Sequence, residues 1–488
     1  MSYASLRFVL DEQGAPYYQQ LVAHIQQSIV SGEWGIGDKL PSSRFLASSL
    51  GVSRSTTTRA YDQLIAEGVL TSEEKRGVFV AALPMMTPRT PSPVRLATPM
   101  EGPEQVQRFD SGADASVFPT KEWAASMRRS WLTPDFAVLQ GGYATGYPAL
   151  KAAIVEYLYR VRGLECCAEQ IIVTAGSRDS LLLLKHTLSA LSKTSPKWWL
   201  ESPTYPPIRE CFRADNASGE LTIDDEGPCL PTSTTGSNVA ILTPNRQYPL
   251  GISMSPQRRQ KWLMNLENNL SEWWLVEDDY DNEFVYHGRN NVPFMQTASV
   301  HPNAKNRLFF IGSFSKVLFR GLRLGFIVAP LAHLDAMRNS QRKLGSSASL
   351  PIQPAVADFM QQGHFERHVN RMRRHYRIKR DALLSLLDEF LSHWFYWKKP
   401  QGGMHILVEF KANFTKQNAS NKPLDQIIAG QLTQANIVLS TLSEHYDKNA
   451  TCFHREGFLL GFSGPSLEQI EDLVGAIASC CQENIETS

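Results

Sequence analysis

Between Pro16 and Gly32 the apolar residues Tyr17, Leu21, Ile25 and Ile29 recur at the spacing of one helical face, which predicts an amphipathic helix. Gly35 to Pro41 breaks the pattern. Ser42 to Leu50 predicts a short second helix with Phe45, Leu46 and Leu50 turned towards a small core. Gly51-Val52-Ser53 then turns the chain, and Ser53 is placed to cap a third helix reaching about Glu67, with Ala60, Tyr61, Leu64 and Ile65 on its core side. Gly68 to Leu70 and Gly77 to Ala81 read as two strands of a hairpin around Thr71 to Arg76. Two helices across a tight glycine turn, followed by a hairpin, make a winged helix-turn-helix over residues 1–83.

Residues 84–105 carry six prolines in twenty-two positions and no sustained periodicity, which predicts a semi-stiff linker. From Phe109 onward the pattern becomes a long α/β alternation. Tyr147 to Arg162 is amphipathic, with Leu150, Ile154, Tyr157 and Leu158 on one side, and Leu181 to Ala190 is a second helix. Apolar runs at 170–174, 198–205, 239–243, 273–280, 307–312 and 326–329 read as strands. Lys379 to Trp397 reads as helix, Met404 to Phe410 as strand and Leu467 to Cys481 as helix, so residues 106–488 are expected to form one α/β domain with a smaller terminal part.

Composition narrows the picture. A chain of 488 residues that is 42% hydrophobic supports a sizeable core in two or three domains. Its formal charge of +1 exerts no global pull on nucleic acid, and residues 1–83 hold seven Lys plus Arg against eight Asp plus Glu, so any DNA contact must come from local pattern. No apolar run approaches membrane-spanning length, and Met1-Ser-Tyr-Ala-Ser-Leu-Arg7 lacks the layout of a secretion signal, so a cytoplasmic protein without a membrane partner is expected. Seven cysteines without metal-ligand spacing imply reduced structural thiols and no metal site.

The third helix carries the polar chemistry of the first domain. Ser53, Arg54, Ser55, Thr56 and Thr57 crowd its first turn and Arg59 follows, while Ser42 and Arg44 add donors from the second helix. Hydroxyls and guanidinium groups at that place suit phosphates and base edges of double-stranded DNA; a three-helix protein-interaction module is the alternative. The runs Leu40-Pro-Ser-Ser-Arg-Phe-Leu-Ala-Ser-Ser-Leu-Gly-Val-Ser-Arg-Ser-Thr56 and Ala60-Tyr-Asp-Gln-Leu-Ile-Ala-Glu-Gly-Val-Leu70 closely resemble the GntR family of winged-helix repressors. The hairpin departs from that family at Lys75-Arg76-Gly77, preceded by Glu73-Glu74, where a Gly-x-Gly tip is frequent.

In the large domain Ser313-Phe-Ser-Lys316 follows a strand and precedes Arg323-Leu-Gly325. A lysine amine beside the hydroxyls of Ser313 and Ser315 and the guanidinium of Arg323 offers a Schiff-base partner and phosphate donors, a combination suited to pyridoxal 5'-phosphate; an ordinary solvated lysine is the competing reading. Gly176, Ser177 and Arg178 form a second phosphate seat at a helix N-terminus. Glu277-Asp-Asp-Tyr-Asp-Asn-Glu-Phe284 delivers carboxylates at a strand end, and Tyr205 projects from another.

These pieces, with the loop Thr243-Pro-x-x-Gln-Tyr-Pro-x-Gly251, resemble the fold-type I aminotransferases, and joined to a GntR-like head they resemble the MocR/GabR family of regulators. The resemblance implies a Schiff base on Lys316, Asp278 on the pyridine nitrogen, Tyr280 on the ring hydroxyl and Tyr205 stacked on the ring. It places Gly176, Ser177, Arg178, Ser313 and Arg323 at the phosphate, and it implies a homodimer and a possible amino-compound effector. Of the two adjacent carboxylates, Asp278 rather than Asp279 is expected to point inward.

Two departures bear on catalysis. Leu459 stands where such enzymes carry the arginine that binds the substrate carboxylate, with Arg455 or His454 as nearby substitutes. Asn245-Arg246 and Leu250 replace the more usual Ser-His and Thr of the Pro244 loop. The expected function is transcription regulation that senses pyridoxal phosphate, an amino compound or both; a working aminotransferase is the rival. Trp394, Trp397 and His405 are expected to be structural.

Overall fold

A computed structural model of the chain describes residues 10–11, 14–82, 106–110, 112–212, 218–268, 272–288, 291–345, 348–415, 422–447 and 455–486. The chain divides into two units, Met1–Gly102 and Pro103–Ser488, and the proline-rich stretch 84–105 lies outside the described residues. Among the described residues no helix is long and apolar enough to cross a membrane.

The first unit contains α1 (Tyr17–Val30), α2 (Ser43–Leu50), α3 (Arg54–Ala66) and the hairpin β1 (Leu70–Glu73) with β2 (Gly77–Val80). Leu21, Ile25, Leu46, Ala60, Leu64 and Val80 fill its core. The turn between α2 and α3 requires Gly51, whose φ of 69° is a left-handed conformation that other residues adopt at a cost, and whose N–H closes α2 on the Ala47 carbonyl. The hydroxyl of Tyr61 donates to the Pro41 carbonyl at 2.8 Å and ties α3 to the entry of α2. Phe45 does not join the core as expected. It is 49% exposed, because Leu46 and Ala47 occupy the buried side of this two-turn helix.

The second unit is built on an eight-stranded sheet. Its strands are β3 (Ile171–Thr174), β4 (Lys197–Ser202), β5 (Ser218–Asp224), β6 (Gly227–Pro228), β7 (Ser237–Leu242), β8 (Glu272–Asp279), β9 (Leu308–Ser313) and β10 (Gly325–Val328). They lie in the order β3-β10-β9-β8-β7-β4-β5-β6. The run from β9 to β5 is parallel, so Ser202, Leu242, Asp279 and Ser313 end on one side of the sheet. Ligands of open α/β sheets bind at such an edge. Side chains alternate across it: Trp274, Val276, Phe309 and Ile311 enter one apolar layer, whereas Trp273, Leu275, Leu308 and Phe310 enter the other. Helix α4 (Pro148–Tyr157) packs in the second layer and α5 (Ser177–Leu191) in the first. At Gly325 the backbone must be bare, since a Cβ would come 2.9 Å from the Gly312 carbonyl oxygen and 3.0 Å from Cα of Gly176.

A smaller antiparallel sheet follows, in the order β11 (Phe395–Trp397), β12 (His405–Phe410), β14 (Gly457–Gly461) and β13 (Ser440–Thr441). It corrects the expected helix 379–397. Helix α6 (His364–Leu386) begins earlier and runs into a wider turn through Leu391, after which Phe395-Tyr-Trp397 is a strand paired with 408–410. Three successive aromatics suit an edge strand, and the Phe395 ring meets Phe410 at 4.4 Å. Helix α7 (Leu467–Cys481) closes the layer through Leu473 and Ile477.

Candidate functional site

In the first unit the exposed face of α3 carries Arg54, Ser55, Thr58 and Arg59, with Ser42 and Arg44 exposed at the start of α2. Ser53 caps α3 by accepting from the Thr56 N–H at 3.2 Å, and its hydroxyl lies 2.7 Å from that of Ser55 and 2.8 Å from that of Thr56. Ser42 caps α2 in the same way through Phe45. The guanidinium of Arg59 rests 4.0 Å over the Tyr18 ring, which holds it against α1. Thr57 is not part of this face. It is fully buried and donates to the Ser43 and Arg54 carbonyls, so helical periodicity turns it into the α2–α3 joint. Thr58, unmarked in the sequence reading, takes the outward position.

In the second unit the parity of β8 separates its carboxylates. Glu277 accepts from the N–H groups of Phe294 and Met295, and Asp279 is gripped by Arg162 through Nε and Nη2, each at 3.0 Å. Both are spent on structure. Asp278 faces the opposite side in register with Ile311 and shares its electrostatic surroundings with Lys316. Burial, with the charges of Asp279 and Asp281, pushes its carboxyl up to about 7. Lys316 is half-buried, and desolvation aided by Arg320 lowers its ammonium to about 8.

Around this pair stand groups with unmade hydrogen bonds. The Tyr280 hydroxyl and both Asp281 oxygens are buried and lack a hydrogen-bond partner among the described residues. Tyr248 links the aromatic wall: its ring lies 5.3 Å from Tyr205, 5.5 Å from Tyr280, 5.4 Å from His405 and 5.5 Å from His445. Beneath it Glu201 accepts from the Thr243 N–H at 3.0 Å, and Gln247 donates to the carbonyls of Pro203 and Tyr248 at 2.8 and 2.7 Å. These bonds lock the loops after β4 and β7 together. Tyr205 is 45% exposed at the rim.

Gly176 caps α5 with a φ of 101°, leaving the N–H groups of the first turn, including Ser177, at the open end of the helix. The Arg178 side chain turns away and pairs with Glu210 at 2.5 Å, so this residue brings its backbone rather than its guanidinium to the turn. Ser313 accepts from the Ser315 N–H at 3.2 Å. Arg323 is exposed and has no side-chain hydrogen bond or ion pair among the described residues; its φ of 49° belongs to the turn that returns the chain to β10.

Leu459 is 3% exposed in a cluster with Leu442 and Tyr446, packed beside Tyr248, Leu250 and Leu407. The substitute Arg455 is already committed, its Nε and Nη2 forking onto Glu409, and His454 lies outside the described residues. His405 stands nearer the chemistry than expected. Its Nε2 meets the Pro249 carbonyl at 3.1 Å, and burial lowers it to about 4, so it is neutral. Trp394 is buried structure. Four neighbours escaped the sequence reading as site residues: Tyr248, Arg246, Asp281 and Arg320, the last held by Asp110 at 2.6 Å. All four lay within stretches already singled out, Arg320 between Lys316 and Arg323, but none had been given a role in the site.

Comparison with known proteins places both units. Residues 17–80 match the family of bacterial regulatory proteins, gntR family, and residues 113–446 match aminotransferase class I and II. The chain is 30% identical to the probable rhizopine catabolism regulatory protein MocR of Rhizobium meliloti, over 96% of this chain and 95% of that protein. It is 29% identical to the pyridoxine biosynthesis transcriptional regulator PdxR of Corynebacterium glutamicum, over 88% of each. Among solved structures the fold resembles kynurenine aminotransferase of Pyrococcus horikoshii, at a TM-score of 0.66, 20% identity, and coverage of 78% of this chain and 91% of that one. It equally resembles the α-aminoadipate aminotransferase LysN of Thermus thermophilus, solved with a phosphopyridoxyl-leucine, at a TM-score of 0.66, 22% identity, and coverage of 78% and 94%.

Proposed function

Because this chain belongs to the MocR-type transcription regulators, in which a GntR helix-turn-helix precedes an aminotransferase class I and II domain, we propose that its large unit takes pyridoxal phosphate on Lys316 and that the state of this site governs operator binding by the head. The observation that carries the cofactor reading is the donor set itself. A lysine lowered to about 8 stands with a buried carboxyl, an orphaned phenol and a bare helix N-terminus. Each matches one part of the cofactor, and a partner for the buried Tyr280 hydroxyl would relieve the cost of about 1–3 kcal/mol that an unsatisfied buried polar group carries.

When bound, pyridoxal phosphate supplies an electrophilic carbon and an electron-withdrawing ring. Lys316 provides the amine, which its lowered pKa keeps partly neutral near pH 8. Asp278 holds the ring nitrogen, Tyr280 donates to the ring oxygen, and Tyr205 covers a ring face with Tyr248 behind it. Backbone groups of Gly176, Ser177 and Arg178, with Ser313 and the guanidinium of Arg323, hold the phosphate. On DNA, Arg54, Ser55, Thr56 and Arg59 face the operator, with Ser42, Arg44 and Ser53 on the backbone. The domains are residues 1–83, the linker 84–105 and residues 106–488, and the working form is a cytoplasmic homodimer on paired half-sites.

Similarity to a pyridoxine biosynthesis regulator favours sensing of the cofactor itself, alone or with an amino compound. The apolar cluster at Leu459 argues against efficient transamination, because a leucine offers a substrate carboxylate no donor. The test is an absorption spectrum of the purified protein with added cofactor, wild type beside Lys316→Ala. A lysine-dependent band present only in the wild type is expected; identical spectra would overturn the cofactor reading and leave the DNA-binding head.

A further inference from the structure

Two charged side chains meet where the 244–251 loop packs on the Gly402-Gly403 approach to β12. Arg246 extends from the loop with its side chain 10% exposed, and its Nη1 is buried with no hydrogen-bond partner among the described residues. Asp281, with its side chain 2% exposed, lies 3.5 Å from that nitrogen at ion-pair distance, and neither of its oxygens has a hydrogen-bond partner of good geometry among the described residues. A guanidinium has five N–H donors and a carboxylate about four acceptor sites, so this ion pair leaves most of its hydrogen-bonding capacity unused. The glycines make the space. A Cβ on Gly402 would come 2.3 Å from Nη2, and one on Gly403 2.3 Å from Nη1 and 3.0 Å from Oδ2 of Asp281.

The pair adjoins the lysine site. Asp281 feels the charges of both Arg246 and Lys316, and His405 feels the same two cations. The other arginines within reach are engaged: Arg455 forks onto Glu409, and Arg320 is held by Asp110 at the exposed mouth. With position 459 closed by apolar packing, Arg246 is the cation beside Lys316 that combines exclusion from water with unmade donors.

We infer that Arg246 anchors the anionic end of the effector, an amino compound bearing a carboxylate or a comparable compact oxyanion, whose amine is presented to Lys316. The ligand's oxygens take the donors that Asp281 leaves unmet, and Asp281 acts as the built-in competitor that sets how tightly such an anion is held. This rests on the amino-compound part of the proposed function. It moves anion selectivity from the small-domain strand β14 to the large-domain loop.

Matched probes isolate the anionic end: L-alanine against ethylamine, and 4-aminobutyrate against propylamine. Each is titrated by calorimetry into the full-length, cofactor-loaded protein, well below the melting temperature of each variant. In the wild type at least one acid is expected to bind roughly 10- to 100-fold more tightly than its matched amine, the range of a charge-assisted hydrogen bond. Arg246→Gln brings that ratio close to one, and Asp281→Asn widens it. These opposite signs separate an anchor from a structural pair, whose loss would shrink the ratio in both variants. An undiminished ratio in Arg246→Gln, a shrunken ratio in both variants, or a wild-type ratio of one with amines still binding overturns the inference alone. Absence of heat from every acid and amine overturns the amino-compound reading together with it.

Discussion

Lys316 owes its place in the account to its surroundings, and its titration is the first consequence. Its ammonium is lowered to about 8, so the neutral nucleophilic form gains through that pH, whereas an exposed lysine gains near 10.4. The rate of cofactor capture by the apo-protein should therefore rise through pH 8 and level off above it; a rise confined to pH above 10 contradicts the desolvated site. In the head, Arg54→Ala removes an exposed guanidinium from α3 and should weaken operator binding by about 1–3 kcal/mol in a gel-shift titration, with the melting curve unchanged. Thr57→Val should do the reverse. It removes the hydroxyl's bond to the Ser43 carbonyl at the α2–α3 joint, so the head should lose about 0.5–1.5 kcal/mol in denaturant melts while the folded protein still binds. Equal operator defects in both variants would contradict the assigned face. The choice of Asp278 over Asp279 was legible because the period of two of a strand decides where adjacent side chains point. The side-chain partners were not: nothing local in the chain says that Arg178 chooses Glu210, that Arg455 chooses Glu409 or that Thr57 turns inward, since each choice depends on a residue brought up by tertiary packing.

At the scale of elements, the helix-turn-helix, four strands of the parallel run and α7 followed from periodicity with shifts of a few residues, whereas the parallel strand β5 (Ser218–Asp224), half exposed and polar, was not anticipated. The region 379–397 did not, because a helical pattern ran into aromatics whose strand character appears only beside β12. The cap expected of Ser53 is made, and Ser42 and Ser466 cap their helices in the same way, each accepting from the N–H three residues on. The close passage of β10 behind the Gly176 turn was not visible in sequence. It predicts that Gly325→Ala, whose Cβ would press on Gly312 and Gly176, displaces the phosphate seat. Overpacking costs about 1–3 kcal/mol, which should appear as a roughly tenfold weaker cofactor affinity in a fluorescence titration. Unchanged affinity would place the phosphate elsewhere.

Across the whole molecule, a DNA-reading unit and an aminotransferase-like unit share one chain, and regulation requires that a ligand on one alter the binding energy of the other. A ligand shifts such an equilibrium only through its differential affinity for the two states, and the effect is reciprocal. The boundary between the two units falls at Gly102 and Pro103, and their coupling is read as a change in operator affinity. The most direct one is operator affinity of the full-length protein at fixed salt, titrated with and without pyridoxal phosphate, for wild type and Lys316→Ala in parallel. The cofactor is expected to shift wild-type affinity and to leave that of Lys316→Ala unmoved. Identical affinities in the wild type with and without cofactor, or a shift of equal size in the two proteins, would contradict it.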